Sequence, residues 1–190
     1  MKQKIPVEVS ARHVHLSVED KEKLFGKGYK LKIIKNLSQN GHFACEETVT
    51  LINSDRKFEN VRVLGPERKQ TQVEISMTDA RHLKINPPVV VSGDVKNSPG
   101  IKIDGPKGIV MLKEGVIIAK RHVHLSPDEA KEMKLKDGQS IKVKISGERG
   151  LTFDNVIVRV HESFRKFMHI DTDEGNAAGI KQEAFGEIVK

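Results

Sequence analysis

Short apolar runs, many of them broken by single polar residues at a period of two, fill most of this chain, and Gly, Pro, Asn and Ser punctuate them. Val7-Glu8-Val9, Val73-Glu74-Ile75-Ser76 and Met168-His169-Ile170-Asp171 place one polar side chain between apolar neighbours. In an extended strand this alternation sends the polar group to one face and the apolar groups to the other. Val116–Lys120 and Val89–Val91 read as strands too, the latter closed by the turn signals Ser92-Gly93-Asp94, Asn97–Gly100 and Asp104-Gly105-Pro106. Three short helices are predicted, over 18–25, 77–83 and 127–133. Ser17 can cap the first with Asp20 three residues on, and Ser126 the third with Pro127 and Glu129 behind it. Many short strands with few and brief helices predict a mainly β fold of barrels or sandwiches.

The pattern occurs twice. Arg-His-Val-His-Leu-Ser stands at Arg12–Ser17 and again at Arg121–Ser126, an offset of 109 residues. Further on, Phe58–Val63 matches Phe153–Val158 at an offset of 95, and the same register lays Glu74 over His169. The difference of fourteen residues is loop length. The chain is an internal duplication. In each His-x-His pair, period two puts both imidazoles on one face, so His13 and His15 oppose Val14 and Leu16, and His122 and His124 oppose Val123 and Leu125.

Composition narrows the picture. With 190 residues, 37% hydrophobic and no Trp, two modest cores fit better than one large one. A lone Cys45 excludes disulfides within the chain and Cys-rich zinc fingers. Neither a signal sequence nor an apolar run of membrane-spanning length is present, which predicts a cytoplasmic protein. The net charge of +7 favours anionic partners or mere solubility. A nucleic-acid-binding barrel lacks support, because aromatics for base stacking make up only 4%.

The repeated donors point to metal. One histidine pair says little; two identical pairs plus a matched Glu74 and His169 make six donors, too many for one tetrahedral zinc with an open position. They suit two divalent ions, each keeping a place for substrate, with Glu74 either bridging or binding singly. His42, His82 and His161 lack matched partners and read as non-ligands. Arg68, in the turn-like Gly65–Gln70, has the planar fork that clamps oxyanions, though it reads equally as a surface arginine. Arg12 and Arg121 fall on the alternate face, away from the histidines. Asp171, Asp173 and Glu174 either orient ligating histidines or form a polar turn and helix start. Cys45 reads as buried filler.

Ser10–Ser17, Leu64–Arg68, Gln72–Ser76, Ser92–Asp94, Ser98–Gly100, Arg121–Ser126 and His169–Glu174 together resemble the PduL-type phosphotransacylases, the phosphate propanoyltransferase family, over nearly the whole chain. The resemblance implies two β-barrels from the duplication, capped by short α-helices. It implies discontinuous domains, residues 1–16 with 117–190 and residues 17–116, with the active site at their interface. It also implies an acyltransferase: short-chain acyl-CoA (propanoyl or acetyl) and phosphate give acyl phosphate and CoA, by direct metal-assisted attack of phosphate on the thioester. His13, His15, Glu74, His122, His124 and His169 would hold two divalent ions, expected to be zinc, and Arg68 would meet the phosphate. A homo-oligomer and coupling to an acetate or propionate kinase are expected, without nucleic-acid or membrane partners. Compartment-housed members carry an amino-terminal extension; with the first strand starting near Met1, encapsulation is not expected. The alternative activity is a two-metal hydrolase of phosphate esters or thioesters.

Overall fold

The structure, a computed structural model, describes residues 4–181 and 183–189. The first half runs β1 (Lys4–Ser10), β2 (His13–Ser17), α1 (Val18–Phe25), β3 (Ile33–Asn36), β4 (Phe43–Asn53), β5 (Arg56–Arg68), β6 (Gln72–Glu74) and α2 (Met77–His82). It continues through β7 (Val89–Val90), β8 (Lys102–Asp104), β9 (Ile109–Met111), β10 (Val116–Ala119), β11 (His122–Leu125) and α3 (Pro127–Met133). Last come β12 (Ser140–Ile145), β13 (Leu151–Val160), β14 (Phe167–Asp171), α4 (Thr172–Ala177) and β15 (Ala184–Val189). The helices start where their caps predict: Ser17 accepts from the Asp20 N–H, and Ser126 forms a reciprocal capping box with Glu129 behind Pro127.

The chain divides into two compact units. Unit 1 takes the chain up to Ala11, Ser38–Asn40 and the chain from Lys120 onward; unit 2 takes Arg12–Leu37 and Gly41–Ala119. Unit 1 is a closed barrel in the order β1-β14-β11-β13-β12-β15, sealed by antiparallel pairing of β15 with β1. Its alternation is plain in β12, where Ile141, Val143 and Ile145 are buried while Lys142 and Lys144 are exposed. Those side chains join Ile5, Val123, Leu125, Val156, Val158 and Met168 in one core.

Unit 2 is a half-barrel sheet, β7-β10-β6-β2-β5-β4-β8-β9, with β3 on β4. Of the two expected barrels, then, one closes and the other stays open, its path ending in the two-residue β7 and the three-residue β9. The core of unit 2 gathers Val14, Leu16, Leu24, Leu51, Val63, Val73 and Ile103. Val14 and Leu16 are fully buried. Together they contribute about 3–6 kcal/mol, enough to fix which face of β2 turns inward.

The two repeats exchange a strand. β1 and β10 are corresponding elements, yet β1 pairs in parallel with β14 of the other repeat and β10 in parallel with β6. This exchange makes unit 1 discontinuous. The boundary expected after residue 16 falls after Ala11, and the one expected at 117 falls at Lys120. The reason is hydrogen bonding: β2 lies between β5 and β6 in unit 2. The duplication extends to backbone detail. Asn60 and Asn155 are both left-handed, with φ of 57° and 55°, a region that Asn tolerates. α2 and α4 correspond residue for residue, each opened by a capping box, Ser76 with Asp79 and Asp171 with Glu174. Asp171, Asp173 and Glu174 thus form the helix start.

Candidate active site

In unit 2, β2 carries His13 and His15, and antiparallel β6 sets Glu74 directly opposite His13. Side chains facing each other across such a pair are close enough to share a ligand. His13 Nε2 lies 3.7 Å from a Glu74 carboxylate oxygen, and donor atoms of His13, His15 and Glu74 fall within 4.8 Å of one another. In unit 1, β11 and β14 repeat the arrangement: His122 pairs with His169, and His122, His124 and His169 form the second such group. All six expected donors therefore fall into two triads, three from each repeat. His42, His82 and His161 belong to neither group.

Partners settle several protons. A guanidinium can only donate, so His15 Nε2, 2.8 Å from an Arg68 terminal nitrogen, is an acceptor with its lone pair turned outward from the ring towards positive charge. His122 Nδ1 donates to the Lys120 carbonyl at 2.8 Å, which leaves its lone pair on Nε2. Burial, then the charges of His13 and Arg68, hold His15 well below the usual histidine range, so its imidazole is neutral. Burial opposes ionisation of Glu74, but attraction to His13 and a 2.7 Å hydrogen bond from Ser92 outweigh it and hold the carboxyl well below its usual range. A neutral His15 imidazole beside an ionised carboxylate offers the donor forms that a divalent transition ion takes, and the set of His13, His15 and Glu74 fits one.

Arg68 ends β5. Besides His15 it donates to Ser92 at 3.4 Å and approaches Glu74 at 4.0 Å. Gln72, one alternation before Glu74, donates to both Ser92 and Glu74 and accepts from the Gly93 N–H at 2.9 Å. The sequence marks Ser92 only as part of a turn and Gln72 not at all, although the period of two places Gln72 on the face of Glu74. Behind unit 1's triad, Glu8 on β1 lies 3.3 Å from His169 Nδ1. The Gln39 side chain exchanges two 3.1 Å hydrogen bonds with the Arg165 backbone and comes within 3.4 Å of His169 Nε2. His124 stacks on Phe164, ring centres 3.9 Å apart.

Arg12 and Arg121 turn away from the histidines, and both do the same thing there. Arg12 pairs with Asp79 at 2.6 Å and covers the Phe58 ring; Arg121 pairs with Glu174 at 2.8 Å and covers Phe153. Each arginine ties the start of a histidine strand to the helix that follows the third donor. Cys45 is fully buried, and burial first of all pushes its thiol up to about 11, a poor nucleophile.

A family model described as phosphate propanoyltransferase matches residues 6–181. The chain belongs to the phosphate propanoyltransferase family. A protein of that name from Thermotoga maritima is 55% identical over 175 residues, covering 92% of this chain and 83% of the relative. Its namesake from Enterococcus faecalis is 47% identical across 97% of this chain and 87% of its own length, and one from Lachnoclostridium phytofermentans 51% identical across 97% and 85%. The chain is therefore an enzyme, an acyltransferase. Among the described residues no helix is long and apolar enough to cross a membrane.

Proposed function

We propose that this acyltransferase moves a short acyl group, propanoyl or acetyl, between CoA and inorganic phosphate, and that both triads serve that one reaction. The observation that carries the proposal is Arg68, a donor-only cation set 2.8 Å from a ligand-type histidine and 4.0 Å from Glu74. His13, His15 and Glu74 would hold one divalent ion, and His122, His124 and His169 a second, zinc fitting both sets. Bound there, the ions would supply Lewis acidity towards phosphate and the thioester carbonyl.

The chain's own residues do the rest. Arg68 binds phosphate through its planar fork, with Ser92 and Gln72 holding the guanidinium and Glu74 in place. A phosphate oxygen forms its bond to the carbonyl carbon, the C–S bond breaks, and CoA leaves as the thiolate with the electron pair. The buried, weakly acidic Cys45 is in no position to form an acyl-enzyme, so transfer is direct. The surplus of Lys and Arg suits the phosphates of CoA. Acyl phosphate is a substrate of the class of kinases that phosphorylate ADP, which makes coupling to such an enzyme natural.

CoA release from acyl-CoAs of increasing length, with and without phosphate, tests this on metal-quantified protein. Release that depends on phosphate, with acyl phosphate trapped by hydroxylamine, is expected. Release at equal rates without phosphate would establish the hydrolase alternative instead, and a burst of covalent acyl-enzyme would rule out direct attack.

A further inference from the structure

We infer that Glu8, held by Ser38, positions His169 as a metal ligand; the inference rests on the reading of the triads as metal sites. Glu8 and His169 are direct partners across the parallel β1–β14 pair, and a Glu8 carboxylate oxygen lies 3.3 Å from His169 Nδ1. The same carboxylate oxygen accepts a short hydrogen bond from the Ser38 hydroxyl. An ionised carboxylate can only accept, so it draws the ring proton to Nδ1 and leaves the lone pair on Nε2. A carboxylate behind a ligating imidazole fixes its tautomer and ring orientation and raises its basicity.

The other repeat supplies the control. The position that corresponds to Glu8 is Ile117, which pairs in the same parallel register with Glu74. Ile117 is fully buried and apolar. A carboxylate ligand has no ring proton to place, so the strand behind it needs no acceptor. The acceptor stands only where the third donor is an imidazole. That correlation is what a positioning role produces, whereas an acid that merely solubilised strand β1 would have no reason to face His169. Glu8 acts through His169 and is a positioning residue.

The experiment loads the full chain with Zn2+ and follows its transfer to a coloured chelator. Wild type should hold two zinc ions with separable affinities. Glu8→Ala should weaken one site by about 10–100-fold and leave the other unchanged. Glu8→Gln keeps an oxygen that accepts from Nδ1–H but loses the charge, so it should weaken the same site several-fold; it also serves if the alanine variant does not fold. Ser38→Ala should move that site in the same direction by less. Unchanged affinity at both sites, or equal loss at both, would overturn the inference while leaving the metal reading intact. Wild type that binds no zinc would overturn that reading and the inference together.

Discussion

The two triads are built on one strand frame and finished differently. In unit 2 the carboxylate, Glu74, is one of the three donors and an apolar Ile117 stands behind it. In unit 1 the third donor is His169 and the carboxylate, Glu8, stands one strand further back. Each triad thus has one carboxylate at a matched site, moved by a single place across the sheet. Arg68 adds a second difference, for the register puts Ser163 at the corresponding place in unit 1. The duplicated backbone sets where these side chains can stand; three exchanges, at Glu74/His169, Ile117/Glu8 and Arg68/Ser163, make the two triads differ. One triad is three imidazoles, the other two imidazoles and a carboxylate.

The largest effect should come from deleting one donor in each unit. His13→Ala and His122→Ala should each lower phosphate-dependent CoA release by on the order of 10³-fold with folding retained by circular dichroism. Near-normal turnover in either variant would show that its triad does not serve the reaction. Next, Arg68→Ala should lower kcat/KM for phosphate by about 10²–10³-fold, while Ser163→Ala changes it little. Arg68→Lys should recover only part, since an ammonium lacks the planar fork. Equal effects at Arg68 and Ser163 would remove the functional distinction between the units.

A smaller difference is expected from the paired arginines. Arg12→Ala strands Asp79, only 4% exposed, whereas Arg121→Ala strands Glu174, 19% exposed. Urea unfolding should show a loss of about 1–3 kcal/mol for the first and less for the second.

The smallest concerns pH, measured on chelator-treated protein. Burial lowers the pKa of His15 and, helped by Arg68, of His42, both in unit 2. Below about pH 6.5 the unfolded chain takes up these protons and the folded chain does not, so stability falls on acidification from there towards the folded values. The slope is at most about 1.4 kcal/mol per pH unit for each group. His42→Gln should flatten it. In unit 1 burial raises Asp171 and Glu174, so their contribution has the opposite sign and declines as pH rises above about 4 through the raised values. A steeper acid slope in His42→Gln would invert this assignment.

Much of the site was legible because its signals are local. A His-x-His pair on a strand must share a face, a Ser followed by an acid at the third position must cap a helix, and matched registers laid Glu74 over His169. α1 and α3 begin and end where the sequence predicts, and α2 stops one residue short of its expected end. Other residues carried no such mark. Glu8 looks like any solvated acid in Val-Glu-Val until β1 is known to lie beside β14. Arg12 and Arg121 read correctly as facing away, but nothing nearby in the chain named Asp79 or Glu174, or the rings of Phe58 and Phe153, as what they face.

Alternation, caps and the repeat itself were enough to settle strands, helix starts and the mainly β class, because each depends on neighbours a few residues apart. Which strand pairs with which was not settled there. β1 and β10 alternate alike and could serve either repeat by pattern alone; the structure gives each to the repeat it does not belong to, closing one sheet and leaving the other open. That choice depends on which apolar faces bury together between strands far apart in the chain, and it is what brings a carboxylate behind His169 and an isoleucine behind Glu74.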